Sequence, residues 1–145
     1  MTATSRTFQP PTSTALRLTR AAGVTILVIC LLHTIFFSVH PYWAEWLAGP
    51  FRSGITSADE AIQFWGLPGG FVAPGALLGL LILREGRLGR TVPAVVGIVL
   101  ALWASACFWV VGPSGFLLVL VPAGMLIGAS LSRRGSRRST RTARA

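Results

Sequence analysis

The sequence predicts an all-α integral membrane four-helix bundle with both its N-terminus and its C-terminus in the cytoplasm. Three observations lead there. Only 12% of the 145 residues are charged, about half of what a soluble domain uses to cover its surface. Four apolar runs each approach the ~20 residues needed to cross ~30 Å of hydrocarbon. Twelve of the thirteen arginines fall in segments that an even number of crossings puts on one side.

Residues 1–16, MTATSRTFQPPTSTAL, are rich in Thr, Ser and Pro without apolar periodicity, the composition of a disordered cytoplasmic tail. Residues 17–131 form the transmembrane domain. Arg17 and Arg20 precede the first run, Ala21 to Val39. That run resembles a signal-peptide core, but at nineteen residues it exceeds the usual ~7–15, and no A-x-A-like cleavage site follows. A retained helix is the better reading.

The second run, about 63–83, carries Pro68, Pro74 and five glycines. Such breakers are tolerated where neighbouring helices or water satisfy the freed carbonyls. The third run covers about 92–111 and the fourth about 114–131, joined at Gly112-Pro113-Ser114 in a tight antiparallel hairpin. Residues 132–145 form a basic cytoplasmic tail of disordered composition.

Orientation follows from charge. Arg6, Arg17 and Arg20 lie before the first run, Arg84, Arg87 and Arg90 between the second and third, and six more beyond the fourth. Arg52 alone shares the other side, with Glu45, Asp59 and Glu60. The positive-inside rule puts the arginine-rich side in the cytoplasm of a plasma-membrane protein. Tyr42, Trp43 and Trp46 open the outer loop, His40 to Ile62, and with Trp65 and Trp109 they match an interfacial aromatic belt. The stretch PYWAEWLAGPF reads as a short amphipathic segment along the outer surface.

Chemistry-bearing residues are few. Cys30, His33, Thr34 and Phe37 share one helical face, with His33 about six residues in from the outer end. Ionisable groups at membrane depth usually face the bundle interior. Ser105, Gly69 and Gly70 beside Pro68, and Leu120 to Pro122 lie at similar depth. Two readings stay open. His33, Thr34, Cys30 and Ser105 line an outer-half polar cavity, or His33 donates one hydrogen bond to a proline-freed carbonyl and locks two helices. His40, before Pro41, reads as an interfacial residue.

The two histidines are seven apart on one helix, whereas haem between helices takes ligands from facing elements. No cofactor or metal is therefore expected, and the two cysteines read as small buried hydrophobes. Gly66-x-x-x-Gly70, Gly75-x-x-x-Gly79 and Gly124-x-x-x-Gly128, with the stripe Gly97, Ala101 and Ser105, fit the pattern that lets helices approach closely.

The basic tail carries Arg133, Arg134, Arg137, Arg138, Arg141 and Arg144. Juxtamembrane clusters of this kind attract anionic lipid. A net charge of +9 would otherwise suggest nucleic acid, but here the arginines flank apolar runs instead of covering a folded polar face, so nucleic acid is not the expected partner.

Absences exclude several classes. No Asp or Glu falls within the four runs, which disfavours a proton-coupled exporter of the small multidrug-resistance type. No Ser-His-Asp set, H-E-x-x-H or phosphate-cradling loop with Lys occurs, so nothing supports an enzyme. The leading expectation is a non-enzymatic accessory or interaction protein that meets a membrane-protein partner or a second copy of itself. The alternative is a small transporter or channel around His33, and a quinone-linked redox component comes third.

Leu32-His33-Thr34, Phe64-Trp65, Val111-Gly112-Pro113-Ser114-Gly115-Phe116 and Pro122 resemble a family of small four-helix bacterial membrane proteins of unknown function, well represented in actinobacteria. The resemblance covers roughly residues 21–130. It implies topology and no chemistry.

Overall fold

The computed structural model describes the backbone of residues 10–39, 43–49, 57–59, 64, 70–112 and 114–142, and their side chains except those of Glu45 and 133–142. The molecule is all-helical, with no strand among the described residues.

Helix α1 spans Ser13–Phe37, so it begins inside the segment whose composition suggests a tail. The cause is local. Pro10 and Pro11 bias the chain against helix upstream, and the Thr12 hydroxyl then accepts the Ala15 N–H at 3.2 Å as an N-cap. The first two turns are also packed, with Ala15 and Thr19 fully buried. Thr19 satisfies its hydroxyl by donating to the Ala15 carbonyl at 2.9 Å.

A short helix α2, Trp43–Ala48, is tied back to the end of α1 by the Trp43 indole N–H, which donates to the Phe37 carbonyl at 2.7 Å. Trp46 is buried against Trp43 and Phe64, so it packs within the protein. Trp109 is 89% exposed, as a residue reaching a lipid interface would be. His40, Tyr42, Trp65 and most of the outer loop lie outside the described residues.

Helix α3 spans Ala73–Arg87. Pro74 sits in its first turn, where a missing N–H costs no helical bond, so this proline opens the helix and does not break it. A wider turn at 70–72 leads in, and Pro68 lies outside the described residues. The helix closes in a Schellman motif. Gly89 takes φ 71°, its N–H reaches Gly86 O at 3.3 Å, and Arg90 N–H reaches Glu85 O at 2.9 Å.

Helix α4 spans Ala94–Val111 and stops at Gly112, φ 83°. A 3-10 turn, Gly115–Val119, runs into helix α5, Leu120–Thr142. Pro122 cannot donate to the carbonyl four residues back, which accounts for the tighter winding just upstream. Beyond Ser132, α5 continues where the tail composition suggests disorder. Extending an existing helix adds a bond per residue with no nucleation cost, arginine is a good helix former, and cations suit a helix C-terminus.

Helix α1 lies between α3 and α5, and α4 packs on the far side of α5. The core joins Ala22, Ile26 and Cys30 of α1 to Ile82 of α3 and Leu126 of α5. Glycines set the spacing. A Cβ at Gly79 would lie 3.1 Å from the Gly23 carbonyl, and one at Gly97 would lie 2.7 Å from the Ala123 carbonyl. Backbones this close gain dispersion contacts along the whole crossing. Of the small-residue pairs, Gly75 and Gly79 both meet α1, whereas Gly124 has nothing within 4 Å and Gly128 meets only Leu18. Gly66 lies outside the described residues.

Among the described residues, three helical segments are long and apolar enough to cross a membrane: Ser13–Phe37, Ala94–Val111 and Gly115–Ser132. Only 11% of the α4 segment is buried inside the protein. The rest is an apolar surface far larger than a soluble monomer shows. Helix α3, at fifteen residues, covers only about 22 Å, and residues 65–69 before it lie outside the described set.

Candidate functional site

Cys30 of the core is followed one turn along α1 by His33 and Thr34. Cys30 is buried beneath Gly75, whose missing Cβ would sit 3.0 Å from its Sγ. Thr34 donates its hydroxyl to the Cys30 carbonyl at 2.9 Å, so its polarity is spent within its own helix. His33 is half-buried and surrounded by aromatic rings. Its centroid is 4.8 Å from Phe37 and 5.6 Å from Phe71, the latter edge-on.

Phe71 is the centre of this arrangement. It stacks on Trp103 of α4 at 5.5 Å and 13°, and meets Phe116 of the 3-10 turn at 6.5 Å. Trp103 and Phe116 close the triangle at 5.5 Å and 86°. Edge-to-face and offset pairs are the arrangements that ring quadrupoles favour. One cluster thus ties α1, the lead-in to α3, α4 and the 3-10 turn together around His33.

Ser105 does not join it. Helix α4 turns Gly97 and Ala104 inward, and that rotation leaves Ser105 exposed. The structure therefore brings Cys30, His33 and Thr34 together but adds aromatic carbon where a fourth polar group was expected. Ser105→Ala should change thermal stability in detergent by less than about 0.5 kcal/mol, as for surface positions generally; a larger loss would place Ser105 in an interface.

Beside this cluster is a crevice of about 20 Å³, lined by Ile26, Ile29, Phe71, Gly75, Leu78, Leu100 and Val119. It has room for about one water, and its walls are wholly apolar. Among the described residues no three His, Cys, Asp or Glu side chains cluster. Cys30 and Cys107 are both free thiols.

Sequence reasoning missed Phe71, Trp103 and Phe116, because an aromatic in an apolar run carries no mark of which way it faces. It also missed Gly23 and Gly86. A signal for the α1–α3 seam was present, since Gly75, Gly79, Ile82 and Gly86 follow the spacing i, i+4, i+7, i+11 of one helical stripe.

At the opposite end, the Arg20 Nε–H donates to the Gly86 carbonyl at 2.8 Å, so a cation caps the end of α3. Glu85 contacts Arg84 at 3.5 Å and Arg90 at 3.7 Å. The side chains of Arg133, Arg134, Arg137, Arg138 and Arg141, expected to meet anionic lipid, lie outside the described set, as does Arg144 altogether.

No family model, curated protein or solved structure matches this chain.

Proposed function

We propose that this chain is a four-span plasma-membrane protein with both termini in the cytoplasm. In this reading it is a non-enzymatic accessory subunit that meets a membrane-protein partner or a second copy of itself. Its kinship is with the small four-helix bacterial membrane proteins it resembles. The fourth crossing is α3 extended through its lead-in, and the arginines before α1, at the α3–α4 connection and beyond Ser132 orient the set.

The observation that carries the interaction role is the uninterrupted course of α5 from Leu120 to Thr142. At about 1.5 Å per residue, the part beyond Ser132 reaches about 15 Å, whereas the headgroup zone of one leaflet is only about 5–7 Å deep. Positions 133, 134, 137, 138 and 141 share an arc of about 140° on a helix. Positions 133 and 134 of the helix fall at the height of anionic headgroups, and positions 137, 138 and 141 lie beyond it, the register that a basic face for a partner needs. The small apolar crevice supports this reading over a pore, since a permeating ion needs polar groups to replace its water.

Affinity purification from native membranes in mild detergent tests this, run with the full chain and with residues 133–145 removed. A protein recovered at near-equal stoichiometry with the full chain, and lost with the truncated one, is the expected result. Recovery of both forms alone would count against an accessory role. Reconstituted flux sensitive to His33→Ala would replace it with the transporter reading.

A further inference from the structure

Helix α1 carries a continuous exposed stripe. Arg17, Arg20, Val24, Val28 and Leu31 are all exposed, and their spacing puts them on one face. Two arginines therefore head a column of aliphatic side chains. The change of character falls at Ala21, where the apolar run begins, which is the height of headgroup phosphates for a helix that crosses a bilayer.

Arg20 is held in place. Its stem lies over Gly86, where a Cβ would come within 2.7 Å of its Cγ, and its Nε is committed to the Gly86 carbonyl. The remaining guanidinium N–H groups form a planar fork suited to phosphate oxygens. Arg17 is its i−3 neighbour, a like charge roughly 5–6 Å away between Cβ atoms. Arg87 follows Gly86 directly. With Arg84 and Arg90, residues 17–20 and 84–90 alone carry five arginines against Glu85, a net +4 (five minus one). Such repulsion is relieved by an anion lying between the helices.

We infer that Arg17, Arg20 and Arg87 bind the phosphate of one anionic phospholipid, whose acyl chain lies along Val24, Val28 and Leu31. A soluble anion would use the arginines and leave the aliphatic column unexplained. The inference rests on the reading that this end meets a membrane surface, and the site is separate from the α5 tail.

Native mass spectrometry of the full chain in detergent, titrated with phosphatidylglycerol, tests it. Arg17 and Arg87 form no hydrogen bond or ion pair among the described residues, so R17Q/R87Q should melt like the native protein. Its affinity for phosphatidylglycerol should fall about 25-fold, about fivefold per arginine, with phosphatidylcholine binding unchanged. Removing residues 133–145 should leave this dependence on Arg17 and Arg87 intact.

Native-like phosphatidylglycerol binding by R17Q/R87Q would overturn the site. So would full displacement of the lipid by millimolar inorganic phosphate, which would mark a free-anion site. Dependence on the tail alone would remove this site and leave the tail as the lipid contact. A micelle has no leaflets, so none of these results bears on topology.

Discussion

Gly23→Val is expected to separate α1 from α3 and to be the most damaging single change in the described bundle. A Cβ at position 23 would lie 2.7 Å from the Leu83 nitrogen and 2.9 Å from the Gly79 oxygen. Both are backbone atoms, so no rotamer change makes room and the helices must move apart. Overpacking a core costs about 1–3 kcal/mol where side chains can adjust, and this clash sits at the stiff end of that range or above it.

The bilayer sharpens the effect. Lipid tails are as apolar as the side chains they replace, so packing and not water exclusion holds membrane helices together. Separation forfeits those contacts along the whole crossing. Thermal unfolding in detergent should show a large loss for Gly23→Val and a smaller one for Gly23→Ala. Gly124→Ala, where nothing lies within 4 Å, should stay within about 0.5 kcal/mol of native. Equal melting of all three would mean that the α1–α3 crossing is looser than described.

Phe71→Ala should cost about 2–3 kcal/mol and loosen the lead-in to α3. Three ring contacts disappear at once, to His33, Trp103 and Phe116, and such pairs contribute about 0.5–1.5 kcal/mol each beyond burial. A Phe→Ala change in a soluble core costs about 3–5 kcal/mol. Part of that is transfer from water, which largely vanishes when the alternative environment is lipid. Phe71→Leu fills some of the volume without restoring the stack, so it should recover less than half of the loss. Trp103 reports the same event, because losing the ring 5.5 Å away should shift its fluorescence. An unchanged spectrum in Phe71→Ala would argue that the stack is not populated.

The legible parts of the fold were those written in composition and period. Too few charges for a soluble surface, and runs of about a span's length, announce apolar helices. The orientation that the arginines imply belongs to the proposal and not to the fold described above. The start of α1 was legible in principle, since Thr12 after Pro10-Pro11 is a cap signal, but the Thr, Ser and Arg among its first residues hid it. The 3-10 turn before Pro122 and the helical tail were less accessible. Both depend on what a neighbouring turn already does, not on local preference.

At the candidate site the difference is sharper. Cys30, His33 and Thr34 follow from helical spacing on one element. Ser105 shared their depth but is exposed, because α4 docks through Gly97 and Ala104, a rotation of part of a turn from the stripe Gly97, Ala101 and Ser105. In a soluble helix the apolar face points inward and gives the rotation away. Here the outward face is apolar too, so periodicity carries almost no directional signal.

Amino-acid order was thus enough for an all-helical, membrane-type chain, and of its quoted Gly-x-x-x-Gly pairs only Gly75 and Gly79 mark a close helix seam among the described residues. Packing chose which stripe of each helix turns inward, surrounded His33 with Phe37 and Phe71, and laid Arg20 across Gly86. The reason is physical: lipid and protein interior accept the same side chains, so only close contact, helix against helix, tells the two faces apart.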